Sequence, residues 1–162
     1  MTSSDQPERP LEPRSAARLA AVQALYQMDL AQTDLENVIG EFIATRIGPK
    51  AEDATLADAD MPFFADLVKG VVRRQREIDP IVDQQLAQGW RLTRIDSIVR
   101  AALRAGVFEL LERTDVPARV VINEYIRVAR AFFSNDEPRV VNGVLDRLAR
   151  RLRPDELPPH QG

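Results

Sequence analysis

The sequence predicts an all-α protein, two packed helical subdomains with about seven helices. Two observations carry this prediction. Apolar residues return at i, i+3, i+4 and i+7 through most of the 162 residues, the spacing of one helix face. No stretch alternates apolar and polar residues long enough to make a strand.

Residues 1–13 hold three prolines and little periodicity, and read as a disordered tail. A first helix spans about 15–32, with Ser15 as its cap and Leu19, Val22, Leu25, Tyr26 and Leu30 as its buried stripe. Arg14 and Arg18 stand four apart and share one edge of it. A second helix over about 34–46 takes Asp34 as its cap, turns Leu35, Val38, Ile39, Phe42 and Ile43 inward, and ends at Gly48-Pro49. The acidic run AEDATLADAD, 51–60, lacks pattern and reads as a mobile loop. Asp60 and Pro62 open a third helix with a wide apolar face, closed by Arg73, Arg74 and Arg76. Asp79-Pro80 opens a fourth by the same logic, closed by Gly89, with Trp90 as an anchor after it.

The fifth helix, about 93–113, has the clearest periodicity: Ile95, Ile98, Val99, Ala102, Leu103, Gly106 and Leu110. It should be the central helix of the second half. Glu109 and Glu112 then read as an exposed edge of it. Val116-Pro117 breaks the pattern and leads into two further helices separated by Ser134-Asn135-Asp136-Glu137. In the sixth, Val121, Tyr125, Val128, Ala129 and Phe132 face in, while Arg119, Asn123, Arg127, Arg130 and Ser134 form the opposite edge. Pro138 suits the first turn of the seventh, where Asp136 or Glu137 caps free backbone N–H groups. Val141, Val144, Leu145, Leu148 and Leu152 form its apolar stripe, and Gly143 within it implies close approach by a neighbour. The chain divides into a domain over 14–153, with halves at about 14–76 and 77–153, and a disordered tail over 154–162.

The catalytic inventory is thin. There is no cysteine, which removes thiolate metal sites, disulfides and cysteine nucleophiles. The one histidine, His160, lies in the tail. Phosphate-loop, nucleophile-elbow and zinc-ligand patterns are missing, so no cofactor, no metal and no enzyme activity are expected. No apolar run approaches the ~18 residues of a membrane span, and the N-terminus lacks the apolar core of a signal peptide, so a soluble cytoplasmic protein is expected. The net charge of −3 hides an asymmetry: 12 acidic and 5 basic residues in the first 66, against 13 and 17 in the remainder. All but Lys50 and Lys69 of the basic residues are arginine, the better planar phosphate binder.

The run VINEYIRVARAF, the acidic break and RVVNGVLDRLARR together resemble the NusB family of bacterial transcription antitermination factors. AVQALYQMDLAQ, FFADLVKGVVRRQREID and IVRAALRAGVFELLERTDVPARVVINE resemble further family blocks in the family's order. The resemblance implies a protein that pairs with a NusE-type small-subunit ribosomal protein. It implies binding to boxA-type single-stranded RNA from ribosomal RNA leaders, within the RNA polymerase antitermination complex. It also implies an RNA surface containing Arg14, Arg18, Tyr26 and Asp136; Arg130 and Arg139 are this chain's own further cations for phosphate there. The family often has three consecutive arginines at the start of helix one, where this chain reads Arg14-Ser15-Ala16-Ala17-Arg18, and an aromatic where this chain has Val140. The alternatives are a helical interaction scaffold, or a homodimer, without direct RNA contact. A further alternative is a related helical domain detached from an RNA methyltransferase; the chain itself has no cysteine, the nucleophile such enzymes use.

Overall fold

The computed structural model describes residues 9–87 and 97–158. Seven α-helices run in order: α1 Pro13–Ala31, α2 Leu35–Glu41, α3 Met61–Arg73, α4 Gln75–Ala87, α5 Ser97–Glu112, α6 Ala118–Phe132 and α7 Glu137–Leu152. No strand occurs among the described residues. The expectations for Gly89, Trp90, Ile95 and His160 fall outside them.

Helix α5 is the axis of the whole molecule, not of the second half alone. It packs against α1, α3, α4, α6 and α7. Every residue from Ala101 to Leu110 is buried, as in a helix covered on all sides. Small residues permit this. An added Cβ on Gly106 would sit 2.9 Å from Leu145 of α7. One on Gly70 of α3 would sit 2.2 Å from the Phe108 ring. Phe108 is itself buried and cannot swing aside. Gly70→Ala should therefore cost about 1–3 kcal/mol by overpacking, read as a lower denaturation midpoint with an unchanged slope.

Helix α1 begins at Pro13, two residues before the expected cap, because proline needs no N–H partner in a first turn. Ser15 makes no cap and bonds across to α6 instead. Ala16, Ala17, Ala20, Ala21 and Ala24 form its buried side, which lets α3 and α5 approach closely. Leu30, expected in the stripe, is 62% exposed. Asp34 makes no side-chain cap on α2. After α2 the chain widens into a π-helical turn, Phe42–Arg46, in which the Ile47 N–H donates to Phe42 O. That turn shifts register, burying Phe42 against Phe64 at 5.5 Å and leaving Ile43 exposed. Gly48, at φ 93°, ends it in a conformation other residues avoid.

The acidic run is not loose. It holds a 3₁₀ turn, Ala54–Leu56, with Leu56 buried. Leu11 N–H donates to Thr55 O, and Asp60 N–H donates to Pro13 O. These bonds also fix residues that read as tail. Asp60 caps α3 as expected, its Oδ1 accepting the Phe63 N–H at 2.9 Å.

Pro80 does not start α4 but lies inside it, because the helix begins at Gln75 after a one-residue break at Arg74. Asp136 occupies the N-cap position of α7 but makes no side-chain cap. Gly143 is partly exposed, and Val140 is buried. The C-terminal segment packs rather than trails. Leu157 is buried, and Glu156 caps α6 by accepting the Ala118 N–H at 2.8 Å. Arg153 gathers the end of α5: its guanidinium donates to the carbonyls of Glu109, Leu110, Arg113 and Val116. A cation at a helix C-terminus that also fills its orphan carbonyls is favourable twice over.

Candidate nucleic-acid interface

The starting turns of α1 lie against α6. Between them, Leu11, Ser15, Leu19, Glu124, Arg127, Val128, Arg130 and Ala131 line a concavity of about 280 Å³. A second, more open concavity continues from it around the α6–α7 turn, lined by Ile126, Arg130, Phe133, Ser134, Asn135, Pro138, Arg139 and Asn142. Arg130 belongs to both and joins them. The start of α1 and the polar break before α7 therefore lie along one continuous surface. Arg119, Asn123, Arg127, Arg130 and Ser134 are all exposed, as the sixth helix's spacing predicts.

The six residues anticipated for RNA separate on this surface. Arg130 and Arg139 are exposed and share the second concavity. Neither makes an ion pair among the described residues, so their guanidinium groups are available to an anion. Asp136 is exposed in the turn beside them. Arg14, with its side chain 44% exposed, lies 4.5 Å over the Phe63 ring and 3.4 Å from Asp115. Arg113 holds the Asp115 carboxyl below the usual carboxylate range by donating to it.

Arg18 is a correction. It is 3% exposed and lies within the fold, not at a solvent edge. Its Nε and Nη2 donate to the two carboxylate oxygens of Glu109 at 2.7 and 3.0 Å, and its Nη1 donates to Glu124 at 2.8 Å. Burial pulls its proton affinity down, but these carboxylates more than offset that. Glu109, read from sequence as an exposed edge, is fully buried. It also accepts the Tyr125 hydroxyl at 2.5 Å. Burial, with the Glu109 charge, pushes that hydroxyl well above the usual phenol range, so it stays a donor. Ser15 Oγ donates to Glu124, and Arg127 reaches the other Glu124 oxygen at 3.2 Å. One buried network thus ties α1, α5 and α6 beneath the first concavity.

Tyr26 lies in a different groove. It lines a groove with Gln23, Gln27, Leu30, Ala31, Arg46, Ile98 and Phe132. Phe132 and Phe133, with ring centroids 6.4 Å apart, separate that groove from the one at the turn. Sequence reasoning placed Arg127 on an exposed edge but did not assign Ser15, Glu124 or Arg127 to the RNA surface. Ser15 falls within the arginine-bounded start of the first helix, and Glu124 within the INE motif. No cluster able to hold a metal ion occurs among the described residues.

The sequence profile of the NusB family matches residues 15–150. The chain belongs to the NusB family. The transcription antitermination protein NusB of Sinorhizobium fredii (strain NBRC 101917 / NGR234) is 51% identical over 152 residues, covering 94% of this chain and 95% of that protein. Among solved structures, T. maritima NusB superposes with a TM-score of 0.72 at 28% identity, over 90% of this chain and 96% of that one. A chain from the crystal structure of antitermination factors NusB and NusE in complex with dsRNA gives a TM-score of 0.68 at 28% identity, over 85% and 96%. The NusB family is one of transcription antitermination factors, not of enzymes. Among the described residues of this NusB-family chain, no helix is long and apolar enough to cross a membrane.

Proposed function

We propose that this chain is a cytoplasmic antitermination factor that holds boxA-type single-stranded RNA of ribosomal RNA leaders on the surface between α1 and the α6–α7 turn. It acts with a NusE-type ribosomal protein in the RNA polymerase antitermination complex. The observation that carries this reading is the pair Arg130 and Arg139, two exposed guanidiniums in one concavity with no ion-pair partner among the described residues. They hold phosphates, Arg14 extends the track at the start of α1, and Ser134, Asn135 and Asp136 meet exposed base edges. Arg18 acts from beneath the surface. Tyr26, across Phe132 and Phe133, lies off this track.

A salt titration tests this. Binding of a boxA-type single strand should fall with salt, with a log–log slope near ~−0.7 per phosphate contact. The Arg130→Ala, Arg139→Ala double variant should flatten that slope by ~1.4. A slope identical to wild type removes both arginines from the site. Tighter binding of the same sequence as a duplex would replace the single strand as ligand, in line with the RNA of the related NusB–NusE complex.

One observation favours the scaffold or homodimer reading. Leu30, 62% exposed, lies with Tyr26, Ile98 and Phe132 in an apolar groove suited to a protein. Sedimentation at several concentrations separates the readings. A dimer indifferent to RNA supports the scaffold, and a dimer that RNA dissociates supports the antitermination factor.

A further inference from the structure

The concavity beside Ser15 differs from the rest of the RNA surface in shape and in chemistry. Its walls are Leu11, Leu19, Val128 and Ala131, and most of its lining is apolar. Its polar groups converge at one place: Ser15, Glu124 and Arg127, with Arg130 at the rim toward the turn. At about 280 Å³ it is at the small end of ligand pockets. That volume suits one planar ring system rather than a whole nucleotide. An acidic group is unexpected on a surface meant for phosphates. Glu124 is nevertheless fixed there, because Arg18, inside the fold, and Ser15 both donate to its Oε1. Among the described residues its Oε2 carries only the bond from Arg127, which leaves a second lone pair for another donor. Arg18 and Arg127 also neutralise the carboxylate, so it does not repel a strand lying across it.

From this we infer that the concavity is a base-reading pocket: it takes one unstacked nucleobase that bears an exocyclic amino group, and Glu124 Oε2 accepts from that amino group. The inference rests on the RNA reading above. The base slides between the aliphatic side chains of α1 and α6 while Arg130 holds the adjoining phosphate. A carboxylate is an acceptor only, so it pairs with the amino group of cytosine, adenine or guanine. Uracil offers a carboxylate only its N3–H, flanked by two carbonyl oxygens that Glu124 repels. The arrangement therefore sets specificity at one position of the strand.

The experiment compares the full chain's affinity for the 12-nucleotide oligomers rC12 and rU12, labelled for fluorescence anisotropy at fixed salt. Wild type should bind rC12 roughly tenfold more tightly than rU12, within what one base contact discriminates. Glu124→Gln keeps the shape but adds a donor that uracil can accept. The ratio should collapse to about one, chiefly because rU12 binding improves. Glu124 also touches Arg18, so a second variant avoids that network. Ala131→Trp, at an exposed position on the pocket wall, should plug the pocket and bring rC12 down to the affinity of rU12. Circular dichroism melts of both variants identify any that fail to fold. Salt-dependent binding with equal affinity for both oligomers in wild type overturns the pocket and leaves the RNA reading standing. The same holds if the rC12 preference survives both variants. Binding of neither oligomer, with no effect of the arginine double variant on boxA-type RNA, overturns both.

Discussion

Arg18→Ala should destabilise the fold by about 3–5 kcal/mol, the usual cost of removing one partner from a buried ion pair. Glu109 would keep only the Tyr125 hydroxyl, in a site with no access to water. Glu124 would lose the bond that fixes it against α1. For a chain of this size each kcal/mol lowers the melting temperature by roughly 2–4 °C. Calorimetry of Arg18→Ala, Glu109→Ala and the double variant checks the cause. The double should cost clearly less than the two singles added, because it leaves no unpaired buried charge. If Arg18→Ala melts with wild type and instead flattens the salt dependence of RNA binding, then Arg18 reaches solvent and touches phosphate. The network as described would then be wrong.

Arg153→Met should cost about 3 kcal/mol or more. The methionine keeps much of the aliphatic volume but donates nothing. The carbonyls of Leu110 and Val116 lose this donor outright, those of Glu109 and Arg113 keep a backbone N–H, and each stranded buried acceptor costs ~1–3 kcal/mol. Amide exchange should report the loss as faster opening at the C-terminal end of α5, ahead of α1 and α3. Uniform acceleration everywhere would mean that Arg153 supports the fold as a whole rather than the end of one helix.

The helices and their apolar faces were legible because periodicity and proline punctuation are local signals. Val121, Tyr125, Val128 and Ala129 face the core as their spacing requires, and Asp60 caps α3. What stayed hidden was what covers the other face. Arg18, Arg104 and Glu109 occupy positions that look solvent-facing on their own helices, and Arg153 follows the last helix directly. Each is buried because another helix or the C-terminal segment closes over it. Arg104 is held by Asp79 of α4 and Asp29 of α1, residues 25 and 75 positions away in the chain. No window along one helix contains that information. The same limit applies to the surface. The sequence pattern found Arg130 and Arg139, whose proposed roles depend on exposure alone. It put Arg18 on the surface and passed over Glu124, whose roles depend on partners. Pro80 misled for a different reason: cap-plus-proline marks a helix start only when no helix is already running through it.

The clasp formed by Arg153 and Glu156 bears on how the chain acquires its shape during synthesis. The central helix is translated long before the residues that close its end, 43 positions separating Arg153 from Leu110. Until that clasp emerges, the last turn of α5 and the first turn of α6 have backbone groups with no protein partner. A nascent chain can dock α1 onto α3 early, but the ridge bearing Arg130 becomes rigid only after Arg153 and Glu156 have emerged.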